Sequence, residues 1–150
     1  MLKIRRASLS DCAFLVACAE RAYAPYVERI GRKPAPMIAD FDALIRAGDV
    51  YIAFEPDKSP SGFVVFRKIN DHVFLENVAV DPDRKGKGIG RKLIGFVEET
   101  ARCSGIGSIR LYTNVKMQGN LALYPALGYV ETDRRREDGY ERVFFRKTLV

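Results

Sequence analysis

Apolar and basic residues alternate through Leu2-Lys3-Ile4-Arg5-Arg6, the period of a strand with one covered face. Ser8-Leu9-Ser10-Asp11 then resembles a capping box, opening a helix that carries Leu15, Cys18, Ala19 and Ala22 at helical spacing. From Tyr23 to Asp40 the chain holds Pro25, Gly31, Pro34 and Pro36, breakers that predict a loop with short helical pieces. Phe41 to Ala47 reads as a short helix stopped by Gly48. Val50–Phe54 and Gly62–Phe66 read as two strands joined by the turn Pro56-Asp57-Lys58-Ser59-Pro60. His72–Val80 is a third β run, stopped by Asp81-Pro82. A glycine-rich loop follows, and then Ile89, Leu93, Phe96, Val97 and Thr100 fall on one helical face, with Lys92, Glu98, Glu99 and Arg102 off it. Ser108–Thr113 predicts a strand and Gln118–Leu127 a helix ended by Gly128. Tyr129–Arg135 and Tyr140–Lys147 predict a hairpin around Asp138-Gly139.

This order of elements predicts a mixed sheet with helices on both faces, an α/β or α+β fold, in a single domain covering 1–150. At 150 residues one domain buries an adequate core without metal or disulfide support. With 47% hydrophobic and 29% charged residues, neither disorder nor a fibrous repeat is indicated. The N-terminus lacks the apolar run of a signal peptide or membrane span. Cys12, Cys18 and Cys103 form neither a CxxC motif nor a paired set, so the expected compartment is the cytoplasm.

The net charge of +6 suits nucleic acid, an anionic membrane or a phosphate-rich cofactor, and its distribution narrows the choice. Arg84, Lys85, Lys87, Arg91 and Lys92 crowd the glycine loop; a second group, Arg134-Arg135-Arg136, reads as a solvated strand end. The loop lies between a strand and a helix, where free backbone N–H groups and the positive end of the helix dipole meet, and three glycines let a phosphate approach the backbone. A Walker A loop requires GxxxxGK[ST], which is absent. A dinucleotide fingerprint requires GxGxxG, and Gly86-x-Gly88 reaches Gly90 one residue early.

The remaining pattern, Val78-Ala79-Val80-Asp81-Pro82 followed by Lys85-Gly86-Lys87-Gly88-Ile89-Gly90-Arg91-Lys92-Leu93, closely resembles the GNAT superfamily of N-acetyltransferases. Asn120-Leu121-Ala122-Leu123-Tyr124 and Leu127-Gly128-Tyr129 match that family's second motif. The family favours Gln or Arg at the first loop position, where this chain has Lys85. The resemblance implies a mostly antiparallel sheet whose strands splay at a cofactor cleft, and acetyl-CoA as co-substrate. Val78 and Val80 would then offer backbone groups to the pantetheine arm. Gly86, Lys87, Gly88, Gly90 and Arg91 would donate N–H groups to the pyrophosphate, with charge from Lys85, Lys87 and Arg91. Asn120 would serve the cofactor, and Tyr124 would protonate the departing thiolate.

The residues themselves agree with part of this. Asn120 and Tyr124 share a helix face by their spacing of four. Glu76 stands in an apolar strand at even spacing from Val78 and Val80, which makes it the candidate base, with a water chain as the alternative. Pro34-Ala35-Pro36-Met37 with Tyr23 and Tyr26 are candidates for an acceptor wall. The expected reaction is direct attack by an amine of a small molecule or peptide, with no covalent intermediate and no metal. Rival readings are a non-catalytic CoA-binding sensor and a nucleic-acid binder; the latter lacks recognised motifs and aromatic interleaving. No membrane partner is expected, and a homodimer is compatible with the sequence.

Overall fold

The structure is a computed structural model describing residues 2–149. Its elements run β1 (Lys3–Arg6), α1 (Cys12–Ile30), α2 (Phe41–Arg46), β2 (Val50–Phe54), β3 (Pro60–Ile69), β4 (His72–Val80), α3 (Ile89–Cys103), β5 (Ser108–Asn114), α4 (Gln118–Ala126), β6 (Val130–Glu137) and β7 (Tyr140–Thr148). The strands form one sheet in the order β1-β2-β3-β4-β5-β7-β6. Every neighbouring pair is antiparallel except β4 and β5.

Strand alternation feeds two cores. On one face Ala53, Val64, Phe66 and Leu75 pack with Leu93, Ile94 and Val97 of α3 and with Tyr124 of α4. On the other, Ile52, Phe63 and Val65 pack with Leu15, Cys18 and Ala19 of α1 and with Phe41 and Ile45 of α2. Helices therefore cover both faces, as the pattern of the chain predicts.

Three details differ from the sequence reading. Helix α1 does not stop near Tyr23; it continues through Pro25 to Ile30 and ends at Gly31, whose φ of 88° places it in the left-handed region. The cause is its apolar stripe: Tyr23 is buried, and Ala22, Tyr26 and Ile30 carry the same packing onward. That burial offsets the single hydrogen bond Pro25 removes. Strand β3 extends well beyond Gly62–Phe66 at both ends. Glu98, placed off the apolar face of α3 by its spacing, is instead buried, where it accepts from Tyr129 Oη at 3.0 Å and Lys147 Nζ at 2.9 Å. It ties α3 to the last strand and to the segment after α4.

One register shift organises the centre of the sheet. Val65 pairs with Asn77 and Phe66 with Leu75, so Glu76 is an extra residue in β4, a β-bulge. Before the bulge Leu75 faces α3; after it Val78 and Val80 face α3 while Ala79 joins the α1 core.

Gly62 sits where β3 crosses the C-terminal half of β4: an added Cβ would lie 2.7 Å from the Ala79 carbonyl oxygen and 3.2 Å from Val80 Cα. Both obstacles are backbone and cannot swing aside. Gly62→Ala is expected to lower stability by about 1–3 kcal/mol, read as a lower denaturation midpoint. An unchanged midpoint would contradict this packing.

Candidate functional site

Strands β4 and β5 are paired only at Val73–Ile109 and Phe74–Arg110. Beyond Phe74 they diverge: β5 continues along β7, and β4 keeps only β3. The bulge at Glu76 lies at this point of separation. It leaves the edge of β4 from Leu75 to Val80 facing a wedge-shaped cleft, with main-chain groups that the sheet does not consume. A cavity in the wedge is lined by β4 (Leu75–Val78), β5 (Tyr112–Asn114), α4 and its approach (Met117, Asn120, Tyr124), and the segment after α1 (Pro34–Pro36).

At the C-terminal end of β4 the chain enters the glycine loop. Gly86 and Gly88 have φ of 84° and 74°, conformations that non-glycine residues seldom adopt, and open space surrounds both. Gly88 is the N-cap of α3, and no side chain among the described residues caps the helix there. The first N–H groups of α3, at Ile89, Gly90 and Arg91, are thus presented outward at the positive end of the helix dipole, beside an uncluttered backbone concavity. Gly90 packs under Val80, its virtual Cβ 3.7 Å from Val80 Cγ2. These residues fit a phosphate group.

The charges around the loop divide into two sets. Arg84 is bound to Glu55 and donates to Ser59 Oγ at 2.8 Å, which anchors the loop to the β2–β3 turn. Lys87 is also paired with Glu55, at 3.2 Å. Lys85 and Arg91 are exposed and make no ion pair among the described residues. The free cationic charge expected from three side chains therefore resides in two of them.

Within the wedge, Asn120 Nδ2 donates to Thr113 Oγ1 at 3.1 Å, fixing α4 to β5. Tyr124, one turn later, is buried, stacks edge-on to Tyr129 with ring centroids 5.5 Å apart, and lines the cavity. Its hydroxyl has no hydrogen-bond partner among the described residues. Burial pushes the Tyr124 phenol well above the ordinary tyrosine range, so it holds its proton throughout the neutral range. Burial does the same to Tyr23, whose hydroxyl lies 2.6 Å from Asn77 Oδ1 and 2.9 Å from the Val78 carbonyl. The Val78 carbonyl thus already has one donor at hand and retains a second lone pair.

Glu76 reaches the cavity by a different route from the one its spacing suggests. The bulge breaks the alternation, and its carboxylate binds Arg67, which neighbours Phe66 on β3 and faces away from α3. Glu76 therefore lines the cavity as half of an ion pair and does not share a face with Val78 and Val80.

The cavity also gathers residues that sequence reasoning passed over. Asn77 Nδ2 donates to the Pro36 carbonyl at 3.1 Å, clamping the segment after α1 onto β4. Tyr140 Oη donates to the Lys33 carbonyl at 2.6 Å, holding the β6–β7 hairpin over the same segment. Arg142 completes the wall. Asn77, a polar residue in a buried strand, was a usable signal; Arg142 was not, because the sequence does not separate it from the exposed Arg146 on the same strand. Of the proposed acceptor wall, Tyr23 and Pro34–Pro36 line the cavity, whereas Tyr26 and Met37 pack into the α1 core.

Residues 15–129 match the sequence profile of the acetyltransferase (GNAT) family. Among curated proteins, the chain is 29% identical over 91 residues to the ribosomal protein bS18-alanine N-acetyltransferase of Escherichia coli, covering 59% of this chain and 62% of that protein. It is 31% identical over 107 residues to the L-amino acid N-acyltransferase MnaT of E. coli, covering 68% and 62%. The matched stretch thus spans less than two thirds of these relatives. Among solved structures, PaiA N-acetyltransferase from Thermoplasma acidophilum in complex with coenzyme A superposes with a TM-score of 0.76 at 20% identity, covering 99% of each chain. At that identity the likeness is one of fold.

Tyr23, Tyr124 and Tyr129 are all pushed upward, chiefly by burial. The unfolded chain gives up these protons near pH 10, whereas the folded chain holds them. Their contribution to stability is complete below about pH 10 and is lost as pH climbs toward the raised values. Denaturant titrations at rising pH are expected to show stability falling above about pH 10, less steeply in Tyr124→Phe. An identical slope in that variant would show that the phenol is not held as described.

Proposed function

This chain belongs to the acetyltransferase (GNAT) family, and from that premise we propose that it is an acetyl-CoA-dependent N-acetyltransferase acting as one domain in the cytoplasm. The observation that carries the reading is the convergence of three features on one wedge. These are an open edge of β4, a helix N-terminus with a left-handed glycine pair at its end, and a buried tyrosine lining the cavity beside it, the last two without a side-chain cap or hydroxyl partner among the described residues.

In this reading Gly86, Lys87, Gly88, Gly90 and Arg91 receive the pyrophosphate through their backbone N–H groups, and Lys85 and Arg91, which pair with no acid among the described residues, add positive charge. The open edge at Val78 and Val80 orients the pantetheine arm. The likeness of fold to a coenzyme A complex supports this use of the cleft. Asn120, fixed on Thr113, sets the start of α4 and hence the position of Tyr124.

The chemistry forms a C–N bond and breaks a C–S bond. A neutral amine attacks the thioester carbonyl, the tetrahedral adduct collapses, and the thiolate leaves. Tyr124 supplies the proton to the sulfur, and its buried phenol is protonated at neutral pH. Glu76, directly or through a water, takes the proton released by the amine, and Arg67 balances the carboxylate. Burial pushes the Cys18 thiol up to about 12, which leaves it unsuited to act as a nucleophile and supports direct transfer. The acceptor is an amine of a small molecule or peptide; relatives are named for a ribosomal protein's alanine and for an L-amino acid.

Calorimetric titration with acetyl-CoA is expected to show saturable binding, weakened tenfold or more by Gly88→Val, which forces a β-branched residue to a φ of 74°. Tyr124→Phe is expected to keep that affinity while lowering kcat by about 10²–10⁴-fold. A folded protein that fails to bind acetyl-CoA at low salt would refute the assignment.

A further inference from the structure

We infer that the acceptor carries a carboxylate beside its amine, as an α-amino acid does, and that Arg142 is its receptor. The inference rests on the acetyl-transfer reading and names the substrate class for the same cavity. Arg142 stands on β7 directly opposite Asn114 of β5, with its side chain only 9% exposed. Its guanidinium lies 4.2 Å from the centroid of the Tyr112 ring and 5.6 Å from that of Tyr140, so the plane is confined by aromatic groups. One nitrogen, Nη1, meets the protein's own acids, at 3.1 Å from Glu137 and 3.5 Å from Asp138. Glu137 is divided with Arg135, which it meets at 3.1 Å.

The other edge of the guanidinium, Nε and Nη2, donates to no group among the described residues. That edge is a fork matched to the two oxygens of a carboxylate. Asn114 adds to it: its Oδ1 accepts from Lys116 N at 2.9 Å, which leaves Nδ2 without an acceptor among the described residues. The Tyr112 hydroxyl is likewise unpartnered among them. Arg142, Asn114 and Tyr112 all line the cavity that holds Tyr124 and Glu76.

The cavity is therefore dipolar. The β5–β7 wall presents unsatisfied donors around a buried cation, and the β4 wall presents the Glu76 carboxylate. An acceptor that fills the cavity with only an amine answers one wall and strips water from the guanidinium edge without replacing it, which is costly. A zwitterion answers both. Its amine lies toward β4, where the acetyl group is delivered, and its carboxylate lies on Arg142.

The test compares acetylation of the free L-amino acids with that of their α-carboxamides, with acetyl-CoA affinity measured in parallel. The wild-type protein is expected to favour at least one acid over its amide by tenfold or more in kcat/KM, chiefly through KM. Arg142→Gln is expected to bring that ratio near one, and Arg142→Lys to restore part of it, both with acetyl-CoA affinity preserved as a check on folding. The wild-type ratio is informative even where a variant misfolds. Acetyl-CoA binding with no acid preferred, or with no amino acid accepted, overturns the carboxylate subsite and leaves the acetyltransferase reading intact. Absence of acetyl-CoA binding overturns the reading on which the subsite rests.

Discussion

Strand β4 carries one residue more than β3 can pair with, and the surplus is Glu76. The consequences of that insertion reach every part of the site. It reverses which residues of β4 face α3, so that Asn77 turns toward α1 and binds Tyr23 and the Pro36 carbonyl. It also sits where β4 leaves β5, so the edge freed from strand pairing belongs to the segment that leads into the glycine loop. A bulge is a local defect in one ladder, and here the turned Asn77 gains side-chain bonds to Tyr23 and to the Pro36 carbonyl.

The walls of the wedge are held by interactions that are individually modest and collectively restrictive. Tyr23, Asn77 and Pro36 fasten α1 and its following segment to β4. Tyr140 and Arg32 fasten the β6–β7 hairpin to that same segment, through the Lys33 carbonyl at 2.6 Å and the Asp138 carbonyl at 2.6 Å. On the opposite face Glu98, Tyr129 and Lys147 connect α3 to the segment after α4 and to β7. The buried carboxylate of Glu98 is tolerated because Lys147 and the Tyr129 hydroxyl both reach it, and removal of either would leave charge poorly compensated in a core position. The site is thus framed by polar clamps at its rim and by aliphatic packing beneath it.

The order of elements and the glycine loop were legible because they depend on local rules. Period-2 runs, the helical stripe from Ile89 and the breakers at Gly48, Asp81-Pro82 and Gly128 each act within a few residues of chain. The extent of α1 was not legible, since the stripe through Tyr23, Tyr26 and Ile30 prevails over Pro25 only when a sheet is present to receive it. The bulge was equally hidden: alternation in Phe74-Leu75-Glu76-Asn77-Val78 places Glu76 with Val78, and only the register against β3 shows otherwise. Arg142 and Glu98 illustrate the same limit. Each is a charged residue whose burial depends on partners brought to it by the fold, Tyr129 and Lys147 for Glu98 and the Tyr112 ring with the β6–β7 turn for Arg142, so local patterning gives no sign of it.

Charge placement explains how a chain of net charge +6 brings the proposed acid, base and anion site so close together. The loop's Arg84 and Lys87 are drawn off by Glu55, which leaves the helix terminus itself, with Lys85 and Arg91, as the feature an incoming phosphate meets. Glu76 is balanced by Arg67 and Arg142 in part by Glu137, so neither stands as a bare charge in the cavity. The Tyr124 hydroxyl has no partner among the described residues, and it is a neutral group whose proton burial retains. That difference has a chemical reason. In the proposed reaction the useful property is a hydroxyl left uncommitted until the thiolate forms; burial keeps its proton in place while making it a weaker acid, so the transfer depends on the negative charge that develops on the sulfur beside it.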